Sequence, residues 1–283
     1  IKMKNMYDFN YATKKMRKFF QEEKGFIEVP AQSRQSILAA CEDPATISQY
    51  IFSGVNWPLP QTGQMWLERD LLDNPSAKGV FCLSTSYRNE PNPVEGRHDK
   101  IFPMFEFESH GDMGKMMELE TELLSYLGFG EVHKTITYND ACKHYDVELL
   151  EYDEEEALCK QYTDCVFLKD FPLRTHPFWN MKHAGDGIYN KVDVIMHGME
   201  TIGSAERATD VEEMRHQFHN ISDGEYASLL YNHFGKKRVE DELEEKVDER
   251  EFGNEKNKLV LQSTGVLVIE FLIKHFDMFI DYD

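Results

Sequence analysis

Residues 86–108 read "SYRNEPNPVEGRHDKIFPMFEFE". The stretch leaves an apolar run, "GVFCLSTSYR" (79–88), crosses a loop rich in Pro and Gly, and returns through "MFEFE" (104–108). Residues 79–88 read as a buried strand. Strict alternation at 104–108 puts Phe105 and Phe107 on one face and Glu106 and Glu108 on the other. Two such runs around one loop predict a long antiparallel hairpin. Arg88 and Glu90 close the first strand, Arg97 and His98 lie on the loop, and Phe102 begins the return. A guanidinium fork matches the paired oxygens of a phosphate or carboxylate, and an aromatic beside it can stack on a base. The same residues also fit a charged surface hairpin held by local ion pairs.

Outward from this hairpin the elements are mixed. Residues 11–22 predict an amphipathic helix with Tyr11, Met16, Phe19 and Phe20 near helical spacing, ended by Gly25; "FIEVP" follows as a short strand. Residues 113–129 predict a helix with Met116, Leu119, Leu123 and Leu127 on one stripe, stopped by Gly128. Residues 164–172 and 191–203 read as strands. Thr209 followed by Glu212 has the form of a capping box ahead of "DVEEMRHQFHN", and "YASLLYNHF" predicts another short helix. No regular strand–helix–strand rhythm runs through the chain. The expected fold class is α+β, a mostly antiparallel sheet flanked by helices. With 283 residues and no internal repeat or low-complexity linker, a single domain spanning residues 1–283 is expected.

Composition narrows the function classes. The chain carries 51 acidic residues against 31 lysines and arginines, a net charge of −20. A protein that grips nucleic acid by its phosphates carries a basic face, so extensive nucleic-acid wrapping, DNA binding in particular, is not expected. The runs at 148–156 and 240–251 read as solvated helical faces. No apolar run reaches the length of a membrane span and no secretory pattern opens the chain. The five cysteines are an odd number, widely spaced and without a CxxC pair, which reads as reduced thiols in a cytoplasmic protein.

A second hairpin carries chemistry at "DVIMHGMETIGSAER" (193–207). If His197-Gly198 is a two-residue turn, residue 195 lies opposite 200 and residue 193 opposite 202. Asp193 and Glu200 then become diagonal neighbours on one face. Two like charges that close need something positive between them, and Mg²⁺ bound by two carboxylates plus phosphate oxygens suits that place. Two exposed acids on an ordinary hairpin are the plainer alternative.

The 86–108 pattern resembles motif 2 of class II aminoacyl-tRNA synthetases, most closely the aspartyl and asparaginyl branch. "MRKFFQEEKGFIEVP" (16–30) resembles motif 1, which builds the family's dimer interface, and "PQTGQMWLE" (60–68) the segment that binds the α-amino group. The resemblance implies ATP contacts by Arg88, Glu90, Arg97, His98 and Phe102, with Arg88 catalytic at the α-phosphate. It implies substrate contacts by Thr62, Gln64 and Arg207, and Mg²⁺ on Asp193 and Glu200. ATP and Mg²⁺ are thus the expected cofactors, an amino acid the substrate, and a homodimer the assembly.

Three departures from the family pattern stand out. Leu67 occupies the place where aspartyl enzymes carry a substrate-reading lysine, which leans toward the asparaginyl side. No arginine follows Gly265 in "LVLQSTGVLVIEFLIKHF" (259–276), and the nearest alignment of motif 3 puts Glu270 there; the apolar run reads as core. The motif 1-like segment begins near residue 11, so the family's anticodon-reading barrel is not expected. Asparagine synthetase is a freestanding core of this kind. The implied activity is formation of an acyl-adenylate, with ammonia, another amine or tRNA as acceptor. A dimeric paralogue without catalysis and a tRNA ligase that needs a partner are the alternatives.

Overall fold

Phe81, Phe105 and Phe107 are fully buried, and Phe20 packs on all three rings at centroid distances of 4.7–5.8 Å. That aromatic knot anchors the 79–110 hairpin to the helical layer beneath it; each such ring pair contributes about 0.5–1.5 kcal/mol beyond burial. The computed structural model describes residues 6–40, 43–95, 98–130, 134–257 and 262–276.

In chain order the strands are β1 (Ile27–Glu28), β2 (Gln49–Phe52), β3 (Val55–Pro58), β4 (Gly79–Tyr87), β5 (Ile101–His110), β6 (Lys134–Thr137), β7 (Cys165–Pro172), β8 (His183–Gly185), β9 (Ile188–Met196), β10 (Met199–Glu206) and β11 (Gln262–Val268). The helices are α1 (Met6–Lys18), α2 (Gln64–Asp73), α3 (Met113–Leu127), α4 (Tyr138–Tyr145), α5 (Tyr152–Gln161), α6 (Val211–Asn220), α7 (Glu225–Phe234), α8 (Lys236–Asn257) and α9 (Ile269–Phe276). The described residues form one nine-stranded sheet in the order β1-β4-β5-β11-β10-β9-β7-β6, with β8 on β9, beside a small β2-β3 hairpin. Among the described residues only the β1-β4 and β6-β7 pairs are parallel. The expected α+β class, a mostly antiparallel sheet flanked by helices, is what the chain adopts.

The β4-β5 hairpin runs from Gly79 opposite Ser109 to Tyr87 opposite Ile101. β5 begins three residues before the alternating run, and it contains Pro103. Pairing with β11 stops at Met104, so the missing N–H of Pro103 breaks no bond on that edge. One face of the sheet lies on α1, α3 and α9, with Met16, Met116, Leu123 and Leu272 in the same core. Gly128 ends α3 in the left-handed conformation, as expected. The cap of α6 differs from expectation. Asp210, not Thr209, is the residue that precedes the first helical turn, and its carboxylate accepts from the amides of both Glu212 and Glu213.

The opposite face carries Glu106, Glu108 and Asp193 and is covered by α2 and by a second helical core from α6, α7 and α8. Here the acidic run at 240–251 departs from expectation. It is not wholly a solvated face: Val239, Leu243 and Val247 form an apolar stripe at i, i+4 and i+8, and Lys246 and Arg250 are buried beside it. The tail is core, as expected: β11 lies between β5 and β10, and Leu267, Ile269 and Leu272 are fully buried. Gly265 has a packing reason there. A Cβ on it would overlap the Phe107 ring at 2.3 Å.

Candidate functional site

The two hairpins meet across a cavity of about 970 Å³ above the sheet. Arg88, Glu90, His98 and Phe102 line one side, and Lys191, Glu200 and Gly203 the other. Gln64 and Arg207 also line it. The Arg88 guanidinium carbon lies 5.7 Å from the Phe102 ring centre, a cation–π contact that holds the fork over the aromatic. Burial pulls the Arg88 pKa down, while Glu200, Glu106 and Glu90 oppose it, so this arginine senses the acidic hairpin across the cavity. His98 folds its own loop, its Nδ1 accepting from the Val94 amide at 3.2 Å. Arg97 lies outside the described residues.

The second hairpin turns at His197-Gly198, both with positive φ, as a two-residue turn of this hand requires. Glu200 lies opposite Ile195 as expected. Beyond it a bulge at Thr201 shifts the register, so Asp193 faces Gly203 and not Ile202. The correction leaves the convergence intact. A Cβ on Gly203 would lie 2.7 Å from Glu200 Oε1 and 3.6 Å from Asp193 Oδ1. Both carboxylates therefore share the space that the missing side chain leaves.

Asp193 is buried, with Oδ2 paired to Lys191 Nζ at 2.6 Å and Oδ1 without a hydrogen-bond partner. Burial first, then Glu200, pushes its carboxyl up to about 8, and Lys191 pulls the other way. Among the described residues no three His, Cys, Asp or Glu side chains converge closely enough to hold a metal by themselves. A pair of carboxylates with one orphaned buried oxygen fits Mg²⁺ that takes its remaining ligands from phosphates and water.

Arg207 is buried and rigidly held. Its Nε donates to Thr264 Oγ1 at 3.0 Å and its Nη1 to Asn180 Oδ1 at 2.8 Å. Gln64 Nε2 reaches the same Asn180 oxygen at 3.5 Å. Thr62 does not line the cavity. It is buried beneath it, its hydroxyl donating to Glu106, which also accepts from the Gly63 amide and Ser84. Glu108 is buried beside Thr264, and burial lifts its carboxyl to about 7. Glu270, at the start of α9, lines the cavity with Val266 and Val268. Sequence reading missed three of these residues. Lys191, two positions before Asp193 on one strand face, could have been found from the period of two. The space above Gly203 and the role of Asn180 have no local signal.

One mostly antiparallel sheet thus brings Arg88 from one hairpin and Glu200 from the other to a single cavity, with Asp193 buried beside Glu200. The family of class II tRNA synthetases for D, K and N matches residues 2–238, and the chain belongs to it. Asparaginyl-tRNA synthetase from Pyrococcus horikoshii, solved with asparaginyl-adenylate, is similar in structure with a TM-score of 0.77 at 19% identity, covering 95% of this chain and 64% of that one. Asparaginyl-tRNA synthetase from Entamoeba histolytica, also with asparaginyl-adenylate, gives 0.73 at 16% identity over 94% of this chain and 62% of that one. The aspartyl enzyme of the same organism gives 0.67 at 16%, covering 95% and 54%. This chain thus spans less than two thirds of the length of these synthetases. No curated protein sequence matches it significantly. The resemblance to the aspartyl and asparaginyl branch read from the motifs is borne out in family and fold. Among the described residues no helix is long and apolar enough to cross a membrane.

Proposed function

We propose that this chain activates aspartate, asparagine or a close relative with ATP, forming an acyl-adenylate and pyrophosphate. The observation that carries the reading is Arg88 over Phe102 facing Glu200 across one cavity that Arg207 also lines, with the buried Asp193 carboxylate behind Glu200 at Gly203. The substrate carboxylate is ionised at neutral pH and needs no general base. Its oxygen attacks the α-phosphorus as the bond to pyrophosphate breaks. Arg88 binds the charge that develops on the α-phosphate, and Phe102 offers its face to the adenine. Mg²⁺, when bound by Asp193 and Glu200, supplies neutralising charge to the phosphates. Catalysis rests on positioning and preorganised charge. Arg207, with Nε and Nη1 engaged, presents its remaining terminal nitrogen to the oxygen of the substrate side chain. Gln64 meets the α-amino group, and Thr62 acts at one remove by holding Glu106.

A small amine such as ammonia suits the acceptor step best. Glu151, Glu155, Glu225 and Glu270 line the cavity along with Glu90 and Glu200, so its rim offers an approaching amine more negative charge than it offers a tRNA backbone basic contacts. A homodimer built through the 16–30 segment agrees with the exposure of Ile27 on the sheet edge. Pyrophosphate exchange into ATP, screened over twenty amino acids, tests the activation step. Exchange with one acidic or amide amino acid is expected; silence across the panel with folded protein overturns it. One observation favours a second reading, a binding module without turnover: an acidic residue, Glu270, lines the cavity where the family pattern of motif 3 implies an arginine. Calorimetric binding of an amino acid with no response to ATP and Mg²⁺ would select it.

A further inference from the structure

The family match ends at residue 238, yet α8 continues to Asn257 and buries two cations behind the cavity. Lys246 Nζ lies 3.2 Å from Glu68 Oε2, and the two side chains are 4% and 1% exposed. Glu68 Oε2 also accepts from Asn180 Nδ2 at 3.3 Å. Asn180 Oδ1 in turn accepts from Arg207 Nη1 and Gln64 Nε2. An unbroken line of polar contacts therefore runs from α8, through α2, to two residues that line the cavity.

The chemistry of the amide makes this line directional. Asn180 has one accepting and one donating end. An ionised Glu68 can only accept, so it takes the donating end and turns the oxygen toward Arg207 and Gln64. A protonated Glu68 could instead donate to that oxygen. The amide would then turn its NH₂ toward Arg207, donor against donor. Burial works against the Glu68 charge, and Lys246, then Arg250 and Arg207, outweigh it and hold the carboxyl below its ordinary range. The charged groups facing Glu68 are Lys246 and Arg250 from α8, Arg207 from the end of β10 and Glu108 from β5; Glu249 of α8 lies 3.7 Å from Lys246.

We propose that Lys246 is a positioning residue for the amino-acid end of the cavity, acting through Glu68 and Asn180 to hold Arg207 and Gln64 in their ligand-facing orientation. The identity of that ligand rests on the function proposed above; the relay itself does not. Lys246→Met takes away the cation in contact with the buried Glu68 carboxylate and leaves it with the Asn180 amide and the more distant charges of Arg250 and Arg207. Lys246→Met with Glu68→Gln removes both charges and keeps an acceptor for Asn180, so it should restore the arrangement.

The test compares wild type, the single variant and the double variant by two readouts. One is the ¹⁵N signals of the Arg207 Nε–H and the Asn180 side-chain amide. The other is KM against kcat in pyrophosphate exchange. In Lys246→Met both signals should shift, and the amino-acid KM should rise about tenfold with kcat within about threefold. In the double variant the signals should return and KM should fall to within about threefold of wild type. Unchanged signals and KM in the single variant overturn the relay, as does a double variant as impaired as the single one. If Lys246→Met does not fold, the double variant decides: wild-type signals support the relay and displaced ones overturn it. If wild type shows no exchange while the signals move as described, the relay stands and the proposed function falls.

Discussion

Gly203→Ala separates the carboxylate pair from the fold that carries it. The new Cβ would lie 2.7 Å from Glu200 Oε1, 3.9 Å from its Cδ and 3.6 Å from Asp193 Oδ1. Carbon–oxygen contacts relax near about 3.4 Å, so the Glu200 oxygen must retreat by roughly 0.7 Å. Glu200 is exposed and can swing outward at little cost. Alanine is also favoured over glycine inside a strand by about 0.5–1 kcal/mol. Stability should therefore hold or rise slightly. The metal site should not hold, because Mg²⁺ demands near-octahedral placement of its ligands. Disturbing the support of a ligand typically lowers metal affinity about 10- to 100-fold. The assay is pyrophosphate exchange at graded Mg²⁺, with a thermal melt on the same samples. The expected result is a half-saturating Mg²⁺ at least about tenfold higher with an unchanged or raised melting temperature. Wild-type Mg²⁺ dependence in a folded variant refutes the assignment of Asp193 and Glu200.

Other outcomes follow from the same geometry. Arg88→Ala should lower exchange by at least about 100-fold while the protein stays folded, and full exchange would sink its placement at the α-phosphate. Gly265→Ala drives a Cβ into the Phe107 ring and should cost about 1–3 kcal/mol in urea unfolding; no loss would contradict the packing of β11 on β5. Glu120 is fully buried under Ser204 on α3, and burial lifts its carboxyl to about 8. Between pH 4.5 and 8 the folded chain holds a proton there that the unfolded chain has lost. Stability from this group is therefore lost as pH rises through that window, by up to about 1.4 kcal/mol per unit. Glu120→Gln keeps an acceptor for Ser204 and removes the titration, so the variant should gain on wild type from pH 5 to 8. A constant difference across that range would show that Glu120 does not titrate there.

The hairpin that positions Arg88 was legible because its signals are local: an alternating run, a Pro/Gly loop and an apolar strand lie within thirty residues. The carboxylate hairpin was legible to its turn, and the convergence of Asp193 on Glu200 survived a bulge that no local pattern announces. The aromatic core followed from the period of two at Phe105 and Phe107. What stayed hidden depends on distant parts of the chain. Asn180 touches residues more than a hundred positions away, and Lys246 lies inside an acidic run whose composition masks an apolar stripe. Thr62 looked ligand-facing because a polar residue before a helix has no burial signal; only the sheet beneath it, through Glu106, takes it out of the cavity.

The most direct measurement is a crystal structure of the protein soaked with ATP, aspartate or asparagine, and Mn²⁺ in place of Mg²⁺, read by anomalous scattering. An anomalous peak beside the phosphates at Asp193 and Glu200 is expected, with the α-phosphate against Arg88 and the adenine on Phe102. Nucleotide bound elsewhere, or a metal peak remote from both carboxylates, would contradict it.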